Sequence, residues 1–134
     1  MTEPVRYNAK DTSLTIGGVY ITGYAEDSML TWEKSEARGE FVYGAQGDAV
    51  FNETNNDLHT LTVTLMKTSP QLGYMLDLLN SKEFFPVRGI NKKLGISFGG
   101  DYGVIAEAPS LELGAEAGDA EFTIQVADGY TNRV

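Results

Sequence analysis

The chain has 134 residues, no cysteine, and 19 acidic against 10 basic side chains, a formal net charge of −9. That length is one domain's worth and buries roughly two-thirds of the surface the unfolded chain exposes, so residues 1–134 are read as a single domain that needs no staples. The composition excludes disulfides, a thiol nucleophile and a Cys-ligated metal site, and its acidity disfavours nucleic-acid binding by phosphate neutralisation. Polar residues 1–12 lack the apolar segment of a secretory signal, and no apolar run approaches the ~20 residues of a membrane helix.

In chain order, residues 13–16 and 19–24 are β-type runs joined by Gly17-Gly18, a tight hairpin whose primed turn needs positive φ. Residues 29–35 predict a strand with Leu30 and Trp32 on one face and Thr31 and Glu33 on the other. Residues 40–43 are β-rich, broken by Gly44-Ala45-Gln46-Gly47-Asp48 and resumed at 49–51. Asn55-Asn56-Asp57 signals a turn. From it runs the clearest strand, residues 58–66, with Leu61, Val63 and Leu65 on one face and Thr60, Thr62 and Thr64 on the other. Strict alternation implies one buried and one wetter face.

A helix over about residues 69–80 follows without a loop. Thr68 and Ser69 are N-cap candidates, Thr68 to Gln71 fits a T-x-x-Q capping box, and Pro70 suits the first turn. Leu72, Met75, Leu76 and Leu79 form one apolar stripe, and Asn80 suits a left-handed cap. Such a helix is about 16 Å long and needs packing to persist. Beyond it, Pro86 places the strand at 84–88 at an edge or bulge. Leu94, Ile96 and Phe98 alternate with Gly95 and Ser97. Gly99-Gly100-Asp101 reads as a hairpin turn into 102–106, residues 111–113 as a short strand, and Phe122, Ile124 and Val126 as the buried face of another. The expectation is a mainly β protein, an antiparallel sandwich or barrel of about nine strands with one flanking helix.

No motif carries chemistry. His59 is the only histidine and sits in phase with Leu61 and Val63, as a structural or surface histidine does rather than a triad or zinc ligand. Acid pairs such as Glu26-Asp27 and Glu36/Glu40 are what 19 acids produce by chance, although a hydrolase would use two. Gly95, Gly99, Gly100 and Gly103 match neither a dinucleotide fingerprint nor a P-loop. Asp11, Asp27 and Asp57 lack EF-hand spacing. No catalytic residue, cofactor or metal is expected. Tyr20, Tyr24, Trp32, Phe41 and Tyr43 fit strand-face packing, with an aromatic groove for a ligand such as a sugar as the alternative.

The charges are segregated. Residues 26–57 hold eight acids against Lys34 and Arg38, and residues 107–128 hold six acids and no base. Residues 67–93 hold five bases against Asp77 and Glu83. Such a distribution suits a molecule that meets its own copy, or an ordinary solvated surface.

The order "SLTIGGVYITGYAEDSMLTW", "VYGAQGDAVF", then "NNDLHTLTVTLMKTSPQLGYMLDLL" resembles the tail tube proteins of contractile-tailed bacteriophages over nearly the whole chain. The most specific part is the Thr/Leu strand, T-S-P, and Leu-rich helix. The resemblance implies a non-enzymatic virion protein, a β-sandwich or barrel forming homohexameric rings that stack into the conduit for genome ejection. It implies contact with sheath, baseplate and tail terminator proteins, DNA passing without specific binding, and a location in the tail after assembly in the host cytoplasm. Tubes of pyocin-like and type VI secretion particles remain open alternatives. Under this resemblance Glu36, Glu40, Asp48, Glu53 and Asp57 are candidates for the lumen or ring stacking. Thr60, Thr62 and Thr64 are further candidates for that role, as a hydrated, weakly adhesive face, with the rim of the other sheet as the alternative they would face, and Lys82, Arg88, Lys92 and Lys93 are candidates for meeting acidic neighbours.

Overall fold

The computed structural model describes residues 4, 6, 8–25, 30–110, 114 and 118–134. Glu26-Asp27, Met29 and the strand expected at 111–113 lie outside them. After a single 3-10 turn at Ala9–Asp11, the strands are β1 (Thr12–Ile16), β2 (Val19–Tyr20), β3 (Leu30–Lys34), β4 (Gly39–Tyr43), β5 (Ala49–Glu53), β6 (His59–Met66), β7 (Phe85–Asn91), β8 (Ile96–Glu107), β9 (Asp119–Val126) and β10 (Tyr130–Arg133), with the helix α1 (Leu72–Ser81) between β6 and β7. The described residues thus hold ten strands where about nine were expected.

Eight strands form one antiparallel sheet in the order β2-β1-β7-β8-β9-β6-β3, with β10 also paired to β8. β9 pairs with the second half of β8 and β10 with the first, so the two follow one another along the same side of β8. The sheet is not a closed barrel. It packs its apolar residues together, and Trp32 of β3 reaches across to β10 with its indole N–H donated to Thr131 Oγ1 at 2.8 Å. The core is the inward-facing set of these strands: Leu14 and Ile16, Leu61, Val63 and Leu65, Phe85 and Val87, Ile105, and Phe122, Ile124 and Val126. Their period-2 spacing in the chain is the cause, because alternate side chains of a strand share a face.

The first hairpin forms as expected. Ile16 pairs with Val19, and Gly17 and Gly18 sit at φ +60° and +83°, the two left-handed positions of a type I′ turn. Pro86 lies at a register shift between Phe85 and Val87, so it marks a bulge. It is not at an edge, because β7 is paired on both sides. The expected turn at Gly99-Gly100-Asp101 is absent. β8 runs through it as one 12-residue strand, and the real turn is one stop earlier, at Lys92–Gly95. The glycines serve close approach instead. Gly99 has φ +150°, and a Cβ there would collide with the Val87 carbonyl oxygen; one on Gly100 would collide with Val126.

The helix begins at Leu72, not at 69, and no side chain caps it. Thr68 is exposed. Gln71 turns away from the helix start: its Oε1 accepts from the Thr22 backbone N–H at 2.9 Å and from the Thr22 hydroxyl at 2.7 Å. Ser69 Oγ donates to the Thr22 carbonyl at 2.7 Å and accepts from Gln71 N–H. The segment expected to be a capping box is therefore a strap to the loop after β2. The left-handed residue at the far end is Lys82, φ +59°, not Asn80. Met75 is fully buried, with Leu72, Leu76 and Leu79 packed beside it. Tyr74 Oη donates to the Ile16 carbonyl at 2.9 Å, and burial raises its pKa. The helix thus seals the core beside β1, held by the burial of Met75, worth roughly 2 kcal/mol, and by these straps.

Candidate assembly surfaces

Two surfaces collect most of the residues singled out by sequence. The first is the β4–β5 hairpin, a separate two-stranded sheet. Its tip is a type I turn closed by a left-handed Gly47 (φ +87°), with Gly44 N–H bonded to Asp48 O at 2.7 Å and Gly47 N–H to Gly44 O at 3.1 Å. Its register pairs Phe41 with Phe51, Val42 with Val50 and Tyr43 with Ala49. Directly paired residues share a face, so Phe41, Tyr43 and Phe51 form one aromatic face and Val42 and Val50 an aliphatic face behind it. Phe41 meets Phe51 edge-on at 4.9 Å and Tyr43 at 6.5 Å. Nine of the ten strand residues are exposed, with Phe41 at 61% and Tyr43 at 69%. An isolated hairpin is marginal in water. An arm with apolar residues on both faces is built to be covered by something other than its own sheet.

The arm's root is fastened. Lys34 Nζ donates to the Asn56 carbonyl at 2.6 Å and to the Glu36 carbonyl at 3.0 Å, and Ser35 N–H bonds Leu58 O at 2.9 Å. Glu40, Asp48 and Glu53 are exposed on the arm. Glu36 at its root accepts from Asn56 Nδ2 at 3.3 Å, and Asp57 lies beyond it. Four of the five candidate acids are thus brought together on one projection or its base.

The second surface is the outer face of β3, β6 and β9. Thr60, Thr62 and Thr64 stand there in register with Gln125, Thr123 and Glu121 of β9, while Thr62 and Thr60 also face Thr31 and Glu33 of β3. All three threonines are half-buried. Among the described residues this face offers hydroxyl, amide and carboxylate groups and no base.

The bases are dispersed. Lys82 ends the helix. Lys92 and Lys93 lie in the β7–β8 turn, Lys93 Nζ 3.3 Å from Asp11 Oδ2. Arg88 is engaged inside its own chain: it pairs with Asp101, donates to Gly100 O at 2.6 Å and Val87 O at 2.8 Å, and lies 5.9 Å from the Tyr130 ring. The Asp101 hydrogen bond raises its pKa. Asp128 belongs to the same cluster. Burial pushes its carboxyl up, but the N–H groups of Asp101 and Tyr102, at 3.0 Å, and Arg88 hold it below the usual range. The cluster fixes the bend where the chain passes from β9 to β10.

A groove of about 460 Å³ beside Trp32 tests the ligand-binding alternative. The Trp32 ring is stacked by His59 at 4.8 Å and Phe98 at 5.0 Å, and its N–H is taken by Thr131. That tryptophan is a packing residue, not a free platform for a sugar. His59 is buried, its Nδ1 2.7 Å from the Asp57 carbonyl. No group of three or more His, Asp or Glu among the described residues is arranged for a metal, and no described helix is long and apolar enough to cross a membrane.

Sequence reasoning placed Phe41 and Tyr43 on a strand face but packed them inward. The available signal was the polar spacers on either side, residues 35–38 and 54–57, which detach the hairpin from its neighbours.

No protein-family model matches the sequence, and no curated protein matches it. Solved structures do match in fold. The chain is similar to the tube-terminating cap of the anti-feeding prophage (TM-score 0.67, 9% identity, 100% of this chain and 95% of that one). It is similar to a chain of the sheath–tube complex of the PVC extracellular contractile injection system in its extended state (TM-score 0.65, 10% identity, 96% and 93%). A chain of that system's extended sheath/tube terminator is also similar (TM-score 0.55, 12% identity, 98% and 99%). At such identities the likeness is one of fold: an antiparallel, mainly β architecture with one helix, held in common with components of contractile injection particles.

Proposed function

We propose that this chain is a structural subunit of the tube of a contractile tail or tail-like injection particle, which assembles with its own copies into homohexameric rings. The observation that carries this reading is the β4–β5 arm, apolar on both faces and left largely exposed by the described residues of its own chain. Three aromatic side chains at these exposures present roughly 300 Å² of ring surface, about 7 kcal/mol gross if removed from water. Association costs consume a large share of that. The fold likeness to chains of contractile particles supports the kind of assembly, and stacked rings repeat a heterologous contact along an axis.

In this reading the Thr60–Thr62–Thr64 face, with Glu33, Glu121 and Gln125, lines the lumen. Six copies of a chain of charge −9 carry about −54 per ring, which keeps a nucleic-acid cargo sliding rather than bound. Sheath, baseplate and terminator proteins are the outer and axial partners, and the particle's tail is the location. A second reading, a cap or terminator at the tube's end, is favoured by the likeness to the prophage cap. The two differ in extent. A tube subunit polymerises into filaments of many rings, whereas a terminator stops at one. Negative-stain microscopy of the concentrated protein, alone and with preformed baseplates, decides between them.

A further inference from the structure

The arm's partner surface is visible on the same chain. At the β7–β8 turn, Leu94 and Ile96 are 52% and 40% exposed. Around them stand Lys92 and Lys93 of the turn and Arg133, which pairs with Ile96 across β10. Lys10 precedes Asp11, the only acidic side chain among the described residues of this group and already paired to Lys93. The patch is therefore apolar at its centre and basic at its rim. The arm is the complement: Glu53 shares the aromatic face with Phe41 and Phe51, Glu40 stands on the other face with Val42 and Val50, Asp48 lies at the turn, and residues 39–53 carry no base. The other exposed aromatic pair, Phe84 and Tyr102, is flanked by Lys82, Glu83 and Asp101 and offers an acidic arm no net attraction.

We infer that the β4–β5 arm of one copy docks on the β7–β8 turn of a second copy, with Phe51 and Phe41 against Leu94 and Ile96. Glu53, on the same face as both rings, then meets the basic rim at Lys92 and Arg133. The inference rests on the proposed self-assembly and names the contact that makes it. The contact is heterologous, since the two patches differ, so each copy both gives an arm and receives one. Apolar centres supply the affinity, and opposed charges set the register and exclude arm-to-arm pairing, where acid would face acid.

The chain's lack of cysteine gives a direct test. Single variants Phe51→Cys and Leu94→Cys are purified, mixed in equal amounts and oxidised. The expected result is a disulfide heterodimer at least fivefold above either homodimer, reduced to the statistical level by Glu53→Lys in the arm partner. Adding Lys92→Glu/Arg133→Glu to the turn partner restores it, because the swapped charges attract again. A statistical mixture of dimers, or no rescue by the swap, overturns the inference. All five positions are exposed, and circular dichroism confirms that each variant folds. Should the wild-type protein form rings or tubes while the pair does not cross-link, the docking contact is wrong and the assembly reading stands. If neither occurs, with or without baseplates, both are wrong.

Discussion

Replacing Gln71 by alanine tests the strap that joins the strand-to-helix segment to the loop after β2. The Gln71 Oε1 receives two hydrogen bonds from Thr22, at 2.9 and 2.7 Å, both partly buried. The substitution leaves the Thr22 N–H without its acceptor, a cost of about 1–2 kcal/mol. For a chain of 134 residues, that lowers Tm by about 4–7 °C. A capping box predicts a different pattern: there Thr68→Ala removes the cap and costs about 1 kcal/mol. Thr68 is exposed, and among the described residues its hydroxyl has no partner, so Thr68→Ala leaves Tm within about 1 °C. Both variants are melted side by side by circular dichroism. Equal losses in the two, or a larger loss in Thr68→Ala, would refute the strap.

Other substitutions probe other parts of the account. Phe41→Ser/Phe51→Ser leaves Tm within about 2 °C, because the arm is a separate two-stranded sheet whose strand residues are almost all exposed, yet raises the concentration for assembly by at least tenfold; sedimentation velocity reads both the monomer and the assembly. Gly99→Ala puts a Cβ onto the Val87 carbonyl in a left-handed conformation and lowers Tm by more than about 10 °C or prevents folding. Tyr24 has a buried hydroxyl without a partner among the described residues, and burial, then Tyr20, push its pKa up to about 12. The native state favours the neutral phenol, so this contribution is intact below the unfolded value of 10.0 and lost as pH rises towards 12. Tyr24→Phe therefore gains about 0.5–1 kcal/mol at neutral pH and flattens the decline of Tm in that alkaline window. Asp128, with its lowered pKa, stabilises the fold above its unfolded value of 3.8 and loses that contribution as pH falls through the lower native one. Asp128→Asn is accordingly less stable than wild type at pH 7, and the gap narrows in acid.

How much could be read without coordinates depended on whether the cause was local. β6 and β9 were legible because their alternation is the physical reason for their burial pattern. The Gly17-Gly18 turn was legible because only positive φ closes it. Gly99-Gly100-Asp101 carries the same local signal as a turn, but its glycines answer to β7 and to Val126, which are distant in sequence. The helix was legible from its leucine stripe, its boundary was not, because Gln71 is claimed by Thr22, 49 residues away. The candidate acids on the arm were found through charge clustering. The aromatic face beside them was not, since Phe41, Tyr43 and Phe51 alternate alike whether a strand is covered by its own sheet or by another copy. Arg88 looked like any surface base in the chain, and its cluster with Asp101 and Asp128 arises only where β7, β8 and the β9–β10 bend converge.

The most direct measurement is electron microscopy of the purified full chain at high concentration, alone and seeded with preformed baseplates. The account predicts six-fold rings that stack into hollow tubes, at the latest once seeded, and their disappearance in Phe41→Ser/Phe51→Ser. A wild-type protein that stays monomeric in both conditions would contradict it.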